Sequence, residues 1–314
     1  MNSLLTLFKK FEERRIFLIL LSVWIIMSIM YPHEFFNAAV LKATILAMSS
    51  IAVIAVGMTV LLVSGGFDLS VGSVVTLTGV VAALVMRAGM PWFAAMAVAV
   101  GCGIAVGLCN GLMIAKLRIN PFITTLGMMI FIRGFSTILA GGNNIPIANE
   151  TYNWVGQASI AGVQIPIWMC LLFVVAGDFL LRKSRYFRQN YYIGGNEHAA
   201  LLSGIPVTKV KIANYILTGA LAAVAGILLS ARLGNGSLTA GLNMEFKVIT
   251  GAIIGGCALS GGKGTVLGSF FGAMLMASID SAINIMPVDS YWQEFVTGFV
   301  LIAAIIVDSI GKKE

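Results

Sequence analysis

Apolar runs near twenty residues long, enough for a helix to cross a hydrocarbon core of ~30 Å, recur along the whole chain. Of its 314 residues, 59% are hydrophobic and only 11% charged, against about a quarter charged in soluble domains. The 35 glycines suit closely packed membrane helices, where small residues let backbones approach. The fold class expected is all-α: a polytopic integral membrane protein organised as one domain over residues 1–314.

Ten candidate spans follow from the runs: 16–31, 43–63, 71–86, 92–114, 121–140, 165–181, 212–231, 246–259, 265–285 and 293–309. Lys9, Lys10, Arg14 and Arg15 precede the first run, as in a secretory signal, but no small-residue cleavage site follows it, so a retained span is expected. Lysine and arginine set the orientation. With the N-terminus inside, fifteen of the twenty basic residues are cytoplasmic: those four, Lys116, Arg118, six in the island 182–211, Lys263, Lys312 and Lys313. Lys42, Arg87, Arg232 and Lys247 fall outside, and Arg133 falls within a span. This bias places both termini in the cytosol. The net charge of +7 then reflects topology and gives no reason to expect nucleic acid.

Chemistry narrows the class. Cys102, Cys109, Cys170 and Cys257 lie in apolar runs without paired spacing, and the two histidines, His33 and His198, fall on opposite sides of the membrane. No metal centre, catalytic constellation or cofactor is expected. The sequence GGKGT at 261–265 lacks the first glycine of a phosphate-binding loop, since Cys257 occupies that position, and Gly264 follows the lysine. Intramembrane charge marks ion-coupled carriers, yet only Arg133 and Asp280 lie deep, and no relay of carboxylates exists. The energy source is expected on another polypeptide.

The island 182–211 is the one cytoplasmic-type segment long enough to fold outside lipid. Gly194 and Gly195 free the chain to turn, Asn196 caps a helix starting at Glu197, and Gly204 with Pro206 ends it. Glu197 in the first turn is favoured by the helix dipole. Ala199, Leu201, Leu202 and Ile205 give it an apolar surface. Such a helix can plug a groove on a partner or lie on lipid headgroups.

Four motifs in order now carry a resemblance: VSGGFDLSVGS at 63–73, IGGNEHAALLSGI at 193–205, AGI at 225–227 and GGCALSGGKG at 255–264. NPFITTLG at 120–127 and Arg133-Gly134 add to them. From about Ala47 to Asp308 the chain resembles the permease subunit of bacterial ABC importers for sugars, the ribose, xylose, galactose and autoinducer-2 group. It departs where the family has G-x-G-x-E-L-D-x-I-A: Glu245 is kept, and Lys247 stands for the Asp. Phe67 also replaces a frequent Ile.

The resemblance implies a multi-pass protein of the bacterial cytoplasmic membrane that imports a small polar solute, most simply a monosaccharide. The alternative is an ion-coupled secondary carrier. Implied partners are a second permease subunit (a copy or a paralogue), one or two ATP-binding subunits, a periplasmic or lipid-anchored substrate-binding protein, and membrane lipid. It assigns ATPase coupling to Gly195, Asn196, Glu197, Ala199, Ala200, Ser203, Gly204 and Ile205. Docking of the binding protein falls to Asn143, Asn144, Arg232 and Glu245, in outer segments 141–164 and 232–247 that are otherwise plain connections. Asp68, Ser70, Asn120, Arg133 and Asn284 are expected near the translocation path, because polar groups at spans are costly against lipid. Asp68 can equally cap the third span. The spacing S-G-G-x5-G-S at 64–73 and 260–269 is either an internal repeat or two glycine turns of similar use.

Overall fold

A computed structural model describes residues 12–35, 37–286, 289 and 291–310. Lys9, Lys10, Lys312 and Lys313, which enter the orientation argument, lie outside the described residues. The described chain is helical apart from four two-residue strands. In chain order the helices are α1 (Glu12–Met30), α2 (Ala38–Val63), α3 (Val71–Arg87), α4 (Trp92–Gly111, continued by a π-helical turn Leu112–Lys116), α5 (Pro121–Ala140), α6 (Glu150–Gln157) and α7 (Ile165–Lys183). They continue as α8 (Arg185–Gly195), α9 (Glu197–Leu202), α10 (Val207–Leu233), α11 (Met244–Ile254), α12 (Val266–Ile285) and α13 (Tyr291–Ile310).

Six helices are long and apolar enough to cross a membrane: α2, α4 with its π turn, α5, α7, α10 and α12. Shorter apolar helices are Ile16–Met30, Val71–Arg87 and Tyr291–Ile306. The expected span 246–259 differs. Its helix, α11, has eleven residues, a rise of only about 16 Å, and stops at Gly255-Gly256, after which the chain is irregular to Thr265.

The core is built around α2, buried continuously from Met48 to Val63 and packed against α7, α10, α11 and α12. Hydroxyls tie it to α12: Thr59 donates to Ser269 at 2.7 Å and Thr44 to Ser281 at 2.7 Å. Gly103, Gly107 and Gly111 let α4 lie backbone to backbone on α10; a Cβ on Gly107 would come within 2.9 Å of Ile216 Cα. This is the small-residue spacing that membrane helices use for close approach.

Segments 141–164 and 232–247 form one unit. β1 (Ile145–Pro146) pairs antiparallel with β4 (Asn235–Gly236), and Ile147 N–H donates to the Gly234 carbonyl at 2.8 Å. Tyr152 of α6 is fully buried, its hydroxyl 2.7 Å from Ser230 Oγ. β2 (Ser159–Ile160) and β3 (Val163–Gln164) make a small hairpin before α7.

Candidate functional site

Three glycine turns meet: one after α2, one at the end of α8 and one between α11 and α12. Gly262 N–H donates to the Val63 carbonyl at 2.9 Å. A Cβ on Gly261 would lie 2.8 Å from Gly194 Cα and 3.0 Å from Gly65 Cα, so backbone from three segments is stacked without side chains between. Tyr191 of α8 donates to the Gly264 carbonyl at 2.8 Å. Asn214 of α10 donates to Asn190 Oδ1 at 2.7 Å and to Ser64 Oγ at 3.3 Å. The two S-G-G turns therefore pack on each other and on Gly194, and both serve close approach.

From this junction the chain passes into α9. Asn196 accepts from Ala199 N–H at 2.9 Å, the cap expected from the sequence, and Gly204 has φ +82°. The helix break falls at Asn196, because α8 runs through Gly194 and Gly195. Helix α8 itself was not anticipated. Lys211 holds Glu197 at 2.6 Å. One expected role changes: Ala200 is buried with Ile193, Val207 and Val210, so it anchors α9 to its own protein and does not face a partner. Leu201 and Leu202 are the outward apolar residues, 56% and 76% exposed. Ala199, Ser203 and Gly204 are also exposed, and Ile205 is half-buried. Between α8 and α9 lies a groove of about 470 Å³ lined by Tyr191, Tyr192, Gly195, Asn196, Ala199 and Ser203, among others.

Asp68 sits in the turn before α3 and is 1% exposed. Its Oδ1 accepts from Ser70 N–H at 2.7 Å and from Ser70 Oγ at 2.6 Å; its Oδ2 accepts from Asn110 of α4 at 3.2 Å. It thus folds the turn onto Ser70, the residue before the first turn of α3, and pins it to α4. Ser70 is fully buried too, and neither residue faces an open path. Asn120 is exposed and caps α5, accepting from Phe122 N–H at 2.8 Å.

The remaining polar residues gather at the start of α11. After β4 the chain runs back along α3. A Cβ on Gly236 would lie 2.8 Å from the Gly79 carbonyl, and Gly241 meets the Gly72 carbonyl with no room for a Cβ. There Asn243 takes a left-handed φ of 59° and α11 begins. Glu245 is fully buried against Gly72 and pairs with Arg133 of α5 at 3.4 Å, where Arg133 is one-third exposed. A residue buried in this way offers nothing for a docked protein to touch, which corrects the outer-face role expected for Glu245. Lys247 pairs with Asp280 of α12 at 2.6 Å. Asn243 donates to Glu294 of α13 at 2.9 Å, and Gln293 donates to Asn284 at 2.7 Å. Sequence reasoning placed Asn284 and Arg133 near a path and read Asp280 as deep, but did not bring Lys247 or Glu294 to this site. The signal was the Lys247 departure from the family pattern.

Of the other residues expected to dock a binding protein, Asn143 and Asn144 are exposed. Asn143 bonds the Gly141 carbonyl at 3.1 Å, and Asn144 accepts from Leu238 N–H at 2.9 Å, linking the two outer segments. Arg232 is partly buried at the end of α10.

Comparison with known proteins gives a family and relatives of nearly full length. Residues 40–305 match the family described as branched-chain amino acid transport system / permease component. The chain is 36% identical over 301 residues to the ribose import permease protein RbsC of Escherichia coli (strain K12), covering 95% of this chain and 94% of that one. It is 34% identical over 308 residues to RbsC of Haemophilus influenzae, covering 96% and 95%. It is 34% identical over 296 residues to the L-arabinose transport system permease protein AraH of Escherichia coli (strain K12), covering 94% and 90%. No solved structure matches the chain at the same stringency.

Proposed function

Because this chain belongs to the family of transport-system permease components matched over residues 40–305, we propose that it is the membrane-spanning permease of an ATP-driven, binding-protein-dependent importer of a monosaccharide. It is a transport subunit and not an enzyme; hydrolysis of ATP takes place on its partners. The sugar class rests on relatives whose names print ribose and arabinose and whose matches run nearly end to end. In the bacterial inner membrane it crosses with both termini in the cytosol, working as a pair of permease subunits. The ten apolar helices lie across the bilayer, α11 as a half-helix completed by the returning segment 236–243. Irregular backbone at that depth is tolerated because protein covers it.

The observation that carries the mechanism is the glycine junction. Helix α9 presents Leu201 and Leu202 outward, while the end of α8 that leads into it is stacked at Gly194, backbone on backbone, against the α2–α3 and α11–α12 turns. A displacement of α9 by an ATP-binding subunit is then felt at once by the Asp68 turn and by α11. The outer unit of α6 and the β1–β4 pair, with Asn143, Asn144 and Arg232, receives the binding protein. In a cysteine-free variant with its ATP-binding subunit, Leu202→Cys should cross-link to that subunit, and Asn143→Cys should react with an impermeant maleimide from outside. Labelling of Leu202→Cys from the outer side of intact cells would overturn both the orientation and the coupling role.

A further inference from the structure

Helices α11, α12 and α13 are joined by a closed triangle of polar links, one along each side. Asn243, just before α11, bonds Glu294 of α13 at 2.9 Å. Lys247 of α11 bonds Asp280 of α12 at 2.6 Å. Asn284 of α12 accepts from Gln293 of α13 at 2.7 Å. Asn284 and Glu294 are exposed, and Asn243, Lys247, Asp280 and Gln293 are partly so. Polar and charged groups on apolar helices face a water-filled space or other protein, because lipid solvates them poorly.

We propose that this triangle is a contact site for the transported solute and takes a neutral, polyhydroxylated molecule; the proposal rests on the importer reading above. Three features fix the ligand class. Amides and carboxylates lie side by side, so donors and acceptors alternate as hydroxyl groups require. Two carboxylates, Asp280 and Glu294, stand in the triangle with one ammonium, Lys247, a balance that disfavours an anionic solute. Asp280 Oδ1 is enclosed without a hydrogen-bond partner, an acceptor left over for a donor that the protein does not supply. Lys247 is also the residue that departs from the pattern of the resembling family, and its charge is met by Asp280. Lys247 and Asp280 are thereby selectivity residues, and Asn243, Asn284, Gln293 and Glu294 form the rest of the rim.

The test uses the complete importer in proteoliposomes, with D-ribose and L-arabinose as probes. Replacing the pair by apolar residues of similar size, Lys247→Met with Asp280→Leu, removes both charges together and so leaves neither one unpaired. Sugar uptake per ATP hydrolysed should fall about tenfold, a loss that corresponds to about 1.4 kcal/mol of contact free energy. Asp280→Asn, which keeps shape and one acceptor, should fall less. An unchanged ratio in both variants overturns the proposal. So does a loss of uptake matched by an equal loss of thermal stability in both variants, which makes the triangle a tie between helices only. If the unaltered importer moves neither sugar, the monosaccharide reading fails on its own, and a second arm decides the site. Asn284→Cys should react with an impermeant maleimide, at a rate that changes when the ATP-binding subunits are trapped with vanadate. Absence of labelling, or equal rates in both states, overturns it.

Discussion

A methyl group added at Gly261 tests the junction, and the structure supplies its own control. Gly261 has φ +87°, and a Cβ there would meet Gly194 Cα at 2.8 Å, the Gly194 carbonyl oxygen at 2.9 Å and Gly65 Cα at 3.0 Å. All three are backbone atoms of other segments, and none can swing aside as a side chain does. Gly89, in the α3–α4 connection, has nearly the same φ of +84° but nothing within 4 Å of a built Cβ. Left-handed strain, ~1–2 kcal/mol for a residue with a Cβ, is common to both substitutions. Gly261→Ala adds the overpacking term, ~1–3 kcal/mol where neighbours must shift. It should therefore be the more destabilising by that second amount. The assay is thermal unfolding in detergent for the two variants side by side, followed by sugar-stimulated ATP hydrolysis in the assembled importer. Gly261→Ala should unfold earlier and couple poorly, while Gly89→Ala should transport normally once folded. Equal destabilisation by the two would refute the stacking of turns on which the coupling argument stands.

Other expected outcomes follow from the site geometry. Arg133→Ala strands the fully buried Glu245 carboxylate and should cost ~3–5 kcal/mol; Arg133→Ala combined with Glu245→Gln should recover much of the lost stability in a melting assay. Asp68→Ala removes the acceptor shared by Ser70 and Asn110 and should cost ~1–3 kcal/mol, read as lower yield and melting temperature along with lower uptake. Leu201→Ser with Leu202→Ser alters only exposed side chains and should leave melting unchanged while abolishing stimulation of the ATP-binding subunit. Ala200→Arg, by contrast, forces a charge into the packing beneath α9 and should lower stability and coupling together.

Much of the local design was legible because it rests on short-range rules. Asn196 caps its helix as its position before Glu197 requires, and Gly204 takes the left-handed turn that ends α9; Asn120, expected near the path, caps α5 instead. The apolar runs located the long helices for the same reason. What escaped depends on which segments meet. An apolar stretch reads alike whether it crosses a membrane or stops midway, so nothing local showed that α11 ends at Ile254 while segment 236–243 descends along α3. Glu245 looked like a loop residue because it follows GNGSLTAG; its burial comes from the approach of Gly241 to Gly72, residues far apart in sequence. Ala200 is assigned to coupling by the resemblance, but Ile193 on α8, a helix not foreseen, covers it.

The central claim is that this chain moves a sugar only when coupled to ATP hydrolysis on another subunit. Uptake of labelled ribose or arabinose into proteoliposomes holding the permease, its ATP-binding subunit and the loaded binding protein measures this directly. The account predicts uptake that starts on addition of ATP, requires all three components and ignores collapse of the proton gradient. Uptake by this chain alone, driven by a proton or sodium gradient without ATP, would contradict it.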